Sequence, residues 1–396
     1  MTTHYLDFAA TSALRPEVVA RAMADFLLEC GATPGRGGHA PAVEAGRVAL
    51  RARRAVQELL GLPGDPGRIA FLANATQALN TALWGVLRPG DAVVVTAYDH
   101  NAVLRPAAYL ARERGVDVRM VAGTPDGAID YQRAEEALEG ARLLVVNSAS
   151  NVLGVCLPLE ELAARARAAG ALVLVDAAQV AGHQPMQCAE AGADLVAFTG
   201  HKGMLGPQGI GGLWVREGVD VEPLLRGGTG GDSRERDMPS SMPDRLEAGT
   251  VNAPGLAGLA AGIRWVLDRG VDVIARHEAA LKARLHSGLS GLPGVRVHSP
   301  AAPDGVGIVT VTVDGMSPSA LAERLDREHG VQIRSGLHCA PEVHRMLGTL
   351  DGGAARLSVG WCTTEEDVDR ALEAVEAVAA PSAFAVPAPS GPRDTS

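Results

Sequence analysis

No apolar run in the 396-residue chain reaches the roughly 18 residues a membrane-spanning helix needs, so no membrane partner is expected. A basic excess is missing too. The 36 Lys and Arg stand against 46 Asp and Glu, a formal charge of −10, which argues against nucleic acid as a partner. The opening MTTHYLDFAATS has no basic stretch leading into an apolar core, so no secretory signal is expected and the reading is cytoplasmic. Cysteine is scarce: Cys30, Cys156, Cys188, Cys339 and Cys362 are odd in number, widely spaced and never form CxxC. That pattern excludes a disulfide framework and a zinc knuckle, and all but Cys339 are expected to be buried, inert thiols. There is no internal repeat and no dinucleotide-binding fingerprint, and GHKGMLG departs from the P-loop pattern.

What is present is alternation. Short β-rich runs at 69–73, 92–98, 116–121, 143–149, 172–178, 194–200 and 211–216 are separated by helical patterns such as 75–87 and 158–170. Several runs are apolar throughout, as strands covered on both faces are, and Pro158 and Gly170 punctuate one helix. The expected fold class is α/β, with a mostly parallel sheet between helices. The texture changes after residue 262. A long helical segment over 263–289, containing Gly270, leads into a smaller α+β unit with strands at 306–313, 331–336 and 355–360. Its last helix starts near residue 363, where Thr363 and Glu366 fit a capping box. The expected division is an N-terminal segment 1–15 near the active site, a large domain 16–262, a small domain 263–380 and a disordered tail 381–396, which is rich in Pro, Ser and Ala.

Polar residues gather at the predicted strand ends. His100 follows VVVTAYD, Asn151 follows VVNSAS, Asp176 ends LVLVD with Gln179 three positions on, and Thr199, His201 and Lys202 follow DLVAF. Each alone reads as a loop residue; together they line one edge of one sheet, where ligands of such folds collect. Lys202, in FTGHKGMLG, could bind phosphate, face solvent or bond covalently to a carbonyl. The set suits pyridoxal 5'-phosphate, which needs a lysine for its Schiff base, a carboxylate for its ring nitrogen and a cradle for its phosphate. NATQALN (74–80) offers Thr76 and the amides of a helix start as that cradle. His338 and His344 flank Cys339, but no further ligand has metal-site spacing.

With these motifs in place, the chain resembles the class V aminotransferase-fold pyridoxal-phosphate enzymes, specifically the cysteine desulfurase and selenocysteine lyase group. The resemblance is carried by YLDFAATS (5–12), NATQALN (74–80), DAAQ (176–179), TGHKGMLGPQGIGG (199–212), EAGTVN (247–252), RSGLHCAP (334–341) and RLSVGWCTTEED (356–367), and it spans all but the tail. It implies a fold type I enzyme in which Lys202 holds the cofactor, Asp176 pairs with the pyridine nitrogen and Gln179 reaches the phenolic oxygen. By the same resemblance His100 stacks on the ring and moves protons, while Ala75, Thr76, Thr199 and His201 hold the phosphate. Thr250 joins them from the other subunit of a homodimer. Asn151 lies near cofactor and substrate, Arg356 clamps the substrate carboxylate, and Cys339 receives sulfur.

The implied reaction converts L-cysteine to L-alanine with a persulfide on Cys339, passed on to an acceptor protein or small molecule. Close alternatives are a selenocysteine lyase or a carbon–sulfur lyase of the same fold, then a class V aminotransferase or epimerase, and last an inactive scaffold for a sulfur carrier. The chain also departs from the family pattern. Phe8 replaces a smaller residue and is expected to reshape the substrate entrance; Trp361-Cys362 replaces an aromatic-asparagine pair; Asn101 stands where histidine or lysine is usual. The polar, glycine-rich stretch 226–250 reads as a mobile loop near the cavity.

Overall fold

The computed structural model describes residues 3–35, 37–230, 236–301 and 305–380. The tail expected at 381–396, and five residues of the 226–250 loop (231–235), lie outside them.

The chain starts with β1 (His4–Tyr5), α1 (Glu17–Asp25) and α2 (Ala40–Leu60). A seven-stranded sheet follows, built from β2 (Ile69–Leu72), β3 (Ala92–Thr96), β4 (Asp117–Val121), β5 (Ala141–Asn147), β6 (Leu172–Asp176), β7 (Leu195–Thr199) and β8 (Gly211–Val215). The helices interleaved with it are α3 (Ala75–Val86), α4 (Asn101–Arg114), α5 (Tyr131–Leu138) and α6 (Leu159–Ala168). Strand order is β2-β8-β7-β6-β5-β3-β4, and β8 alone runs opposite to the other six. Side chains alternate between the faces. Val94, Val146, Val175 and Val196 join one apolar cluster, while Val93, Val145, Leu174 and Leu195 join the other. Burial on both faces explains why these strands carry apolar residues throughout.

The later elements are α7 (Ala253–Arg269), α8 (Val271–Ser290), β9 (Val295–Val297), β10 (Ile308–Val313), α9 (Pro318–His329), β11 (Val331–Gln332), β12 (Arg334–Gly336), α10 (Pro341–Leu347), β13 (Ala354–Ser358) and α11 (Glu365–Ala379). A four-stranded antiparallel sheet, β12-β13-β10-β9, has its own core around Leu281, Leu285, Val311 and Leu357.

Several local readings need correction. The helix expected over 263–289 is two helices, because Gly270 has φ 89°, outside helical geometry. The first, α7, begins at Ala253 and packs its Leu256, Leu259 and Ile263 with the core of α2. The capping box lies one residue further on. Thr364 caps α11 and exchanges hydrogen bonds with Asp367, while Thr363 accepts from the Gly360 amide instead. Pro158 is the cap before α6, not its first residue, and 331–336 is two short strands.

The N-terminal strand connects the parts. β1 pairs in parallel with β11, and the Ser358 amide at the end of β13 donates to the Leu6 carbonyl at 2.7 Å. The next residues, Ala9 to Thr11, thereby reach the carboxyl edge of the large sheet, where they line a cavity.

Candidate active site

The cavity, about 370 Å³, lies beyond the carboxyl ends of β5, β6 and β7. Ala75, Thr76, His100, Asn151, Asp176, Gln179, Thr199, His201, Lys202, Cys339 and Arg356 all line it. Thr250 does not: it is exposed, and no described residue of 226–250 lines the cavity of its own copy. A larger cavity, about 810 Å³, lies among α1, α2 and α7 and holds none of these residues, so size does not locate the chemistry.

The floor holds two buried groups, Asp176 and Lys202, of altered acidity. Asp176 ends β6, is 4% exposed and accepts a hydrogen bond from the Ala178 amide at 3.0 Å. Burial raises its pKa, opposed by that bond and by the Lys202 charge. Lys202 is pushed down to about 8, first by desolvation, with Asp176 opposing and Arg356 adding repulsion. Wholly buried Asp99 is raised to about 8 by burial, with Asp176 repulsion contributing.

His100 caps α4: its Nδ1 accepts from the Ala102 amide at 3.0 Å, so the neutral ring carries its proton on Nε2. Burial and the nearby Lys202 lower its pKa to about 4, which keeps it neutral near pH 7. At the other end, Asn74 caps α3 by accepting from the Gln77 amide at 2.9 Å. This leaves the first-turn amides at Ala75 and Thr76 facing an anion site with the positive end of the helix dipole. Thr199 Oγ1 is buried with no partner, and His201 Nδ1 meets Thr11 Oγ1 at 3.1 Å. An unpartnered buried hydroxyl beside a helix start, a lysine and a buried carboxylate are together what a phosphorylated pyridine aldehyde needs, so the residues fit pyridoxal phosphate.

The wall comes from the small sheet. Arg356 on β13 is 2% exposed; its Nη1 donates to the Asn151 carbonyl at 2.9 Å and its Nη2 to Asp7 Oδ1 at 3.0 Å. Asn151 Nδ2 donates in turn to the His338 carbonyl at 2.6 Å. Cys339 is exposed on the same loop, and both His338 (φ 49°) and Cys339 (φ 57°) are left-handed, a conformation costing non-glycine residues about 1–3 kcal/mol. The loop is held by the Asn101 amide, which donates to the Cys339 carbonyl at 2.7 Å, and by a His338–His344–Thr349 chain.

Other expectations shift. Cys188 is buried, its thiol pushed up to about 12, but Cys30 and Cys362 are only half-buried and Cys156 is exposed. Phe8 does not shape the entrance. It is 1% exposed and edge-on to Tyr5, and it fills the space a side chain at Gly360 would need. Trp361 packs edge-on to Trp265 at 4.6 Å, and burial pushes the Cys362 thiol up to about 11; neither residue lines the cavity. Among the described residues no cluster of three or more His, Cys, Asp or Glu could hold a metal ion, and no helix is long and apolar enough to cross a membrane. Sequence reading missed Asp7, Asp99 and the wall position of Arg334, whose partners are distant in sequence or buried.

Residues 4–371 match the family "Aminotransferase class-V". A probable cysteine desulfurase of Methanothermobacter thermautotrophicus is 36% identical over 383 residues, covering 95% of this chain and 94% of the relative. The chain belongs to the class-V cysteine desulfurase family. A cysteine desulfurase of Haloferax volcanii is 32% identical, with 94% of this chain and 88% of that protein covered. Among solved structures, the apo cysteine desulfurase of Thermococcus onnurineus superposes with a TM-score of 0.88 at 35% identity, covering 95% of this chain and 94% of its own. A cysteine desulfurase from Escherichia coli gives 0.84 at 30% identity, covering 95% and 94%. Like the rest of this family, the chain is a fold type I, pyridoxal-phosphate enzyme.

Proposed function

We propose that the chain desulfurates L-cysteine to L-alanine, leaving a persulfide on Cys339 that an acceptor protein or small molecule collects. One observation carries this reading: Lys202, Asp176, the buried Arg356 and the exposed Cys339 all line the same cavity.

Pyridoxal phosphate, which Lys202 would hold covalently, would supply the electron sink that makes the substrate's Cα–H acidic. Ala75, Thr76, Thr199 and His201 would hold its phosphate, Asp176 would face its ring nitrogen and Gln179 its phenolic oxygen, and His100 and Asn151 would flank it. Arg356 binds the substrate carboxylate, a geometry its planar fork suits. Lys202 Nζ, a base near neutrality because of its lowered pKa, takes the Cα proton and later returns one. Cys339 Sγ attacks the substrate sulfur: the S–S bond forms as the Cβ–S bond breaks. The carbon keeps the electron pair and gains a proton, so the three-carbon fragment is reduced and Cys339 is oxidised to the persulfide level. The strained 338–339 backbone holds that sulfur at the cavity mouth.

The exposed Thr250, outside its own cavity, suits a residue that reaches the phosphate of a second copy, so we assign a homodimer with paired sites. A fully active monomer in solution would end that assignment. Five cysteines outside any disulfide suit a reducing cytoplasm. The decisive assay incubates the holoenzyme with L-cysteine, L-selenocysteine and L-cysteine sulfinate, measuring alanine and the released chalcogen. Stoichiometric alanine and sulfur from cysteine are expected; release from selenocysteine alone would make the chain a selenocysteine lyase.

A further inference from the structure

Asp7 is a buried carboxylate shared by two arginines that line the cavity. Its Oδ1 accepts from Arg356 Nη2 at 3.0 Å and its Oδ2 from Arg334 Nε at 2.9 Å. Its side chain is 13% exposed, against 3% for Arg356 and 51% for Arg334. The backbone holds it there: Asp7 bridges to Ser358, two residues beyond Arg356, and the Tyr5 hydroxyl donates to the Asp7 carbonyl at 3.1 Å.

Two consequences follow from charge and geometry. Arg356 is fixed on two sides, by Asp7 and by the Asn151 carbonyl, which leaves its buried Nε–H without a partner. A buried guanidinium with donors to spare, in a cavity wall, is set to receive another acceptor. The charge count then selects the ligand. At this end Arg334 and Arg356 bring two positive charges and Asp7 one negative, and Lys202 and Asp176 belong to the floor. One further carboxylate makes this end of the cavity neutral. An amino acid with a neutral side chain supplies that one charge; an amino acid with an acidic side chain supplies one too many.

We propose that Asp7 is the positioning and specificity-determining residue of this site: it orients Arg356 for the substrate carboxylate and, by offsetting half the arginine charge, favours monoanionic over dianionic amino acids. This rests on the desulfurase reading for the identity of the substrate, but not for the effect of charge on binding.

The test uses holoenzyme of the parent, Asp7→Asn, Asp7→Glu and Arg334→Gln. In Asp7→Asn, KM for L-cysteine should rise about tenfold with kcat within about threefold of the parent, the loss of one charged hydrogen bond. The kcat/KM ratio of L-cysteine sulfinate to L-cysteine should rise by a similar factor. Asp7→Glu should recover part of both changes. Arg334→Gln should shift the ratio the opposite way, and it keeps the idea testable if Asp7→Asn does not fold. Binding of L-aspartate, followed by the absorbance of the bound cofactor, should tighten in Asp7→Asn. An unmoved ratio and unmoved L-aspartate binding would overturn the proposal, as would a fall in kcat with KM unchanged. If the parent releases no alanine from cysteine, the desulfurase reading fails, while the L-aspartate titration still decides the role of Asp7.

Discussion

The two ends of the cavity are built differently. The floor, at the strand ends of the seven-stranded sheet, places Asp176, Asp99 and Lys202 where burial moves their pKa values. The wall, on the loop after β12, exposes Cys339 on a backbone of positive φ. The floor suits steps that need a controlled proton and a fixed charge. The wall suits a nucleophile that must meet substrate and then an acceptor from outside. One cavity thus divides proton transfer from sulfur transfer, and the two functions should be separable by mutation.

The largest effect is expected at the floor. Lys202→Ala should lower turnover of every substrate by roughly 10³-fold or more, the scale of losing a general base, while cofactor still binds without a covalent link. Borohydride reduction of the parent followed by peptide mapping should mark Lys202; a mark elsewhere breaks the assignment of the floor. Cys339→Ala, at the wall, should abolish sulfur release from cysteine but leave the floor intact, so spectral changes on adding substrate persist. Activity on selenocysteine should survive, since the weaker carbon–selenium bond needs less help from a nucleophile.

A smaller effect sharpens the electrostatic side. Because Lys202 is lowered to about 8, the rate at which pyridoxal phosphate recombines with cofactor-free protein should climb with pH and level off above about 8. An unperturbed lysine, near pH 10.4, would keep climbing. His100 is neutral down to about pH 4 and should add no inflection between pH 5 and 8. The smallest effects on turnover belong to residues outside both ends. Phe8→Ala should cost about 3–5 kcal/mol of stability in denaturant melts with KM for cysteine unchanged. Cys362→Ala should be nearly silent in both measurements.

Apart from Asp99, the floor was legible in the sequence because it follows local rules. Asp176 and Thr199 end apolar strands, and Asn74 starts α3 with its own side chain, so each role depends on near neighbours. The wall needed contacts between distant positions. Asp7 meets Arg356 across 349 residues, and no periodicity announces that pairing. Phe8 looked like an entrance residue because it replaces a smaller residue of the family's motif; the backbone turns it inward against Gly360 instead. The break at Gly270 was hidden because helical patterns flank it on both sides, so composition cannot show that its φ is 89°. Thr363 and Thr364 are adjacent potential caps, and only the hydrogen bonds choose between them.

Whether sulfur crosses from substrate to the wall is tested most directly by the protein itself. Holoenzyme treated with one equivalent of L-cysteine, without any acceptor thiol, is digested under non-reducing conditions and weighed by mass spectrometry. The expected result is one added sulfur atom on the Cys339 peptide, matched by one alanine per site, with Cys30, Cys156, Cys188 and Cys362 unmodified. Alanine formed in full while Cys339 stays unmodified, and sulfide appears directly in solution, would contradict sulfur transfer to the wall.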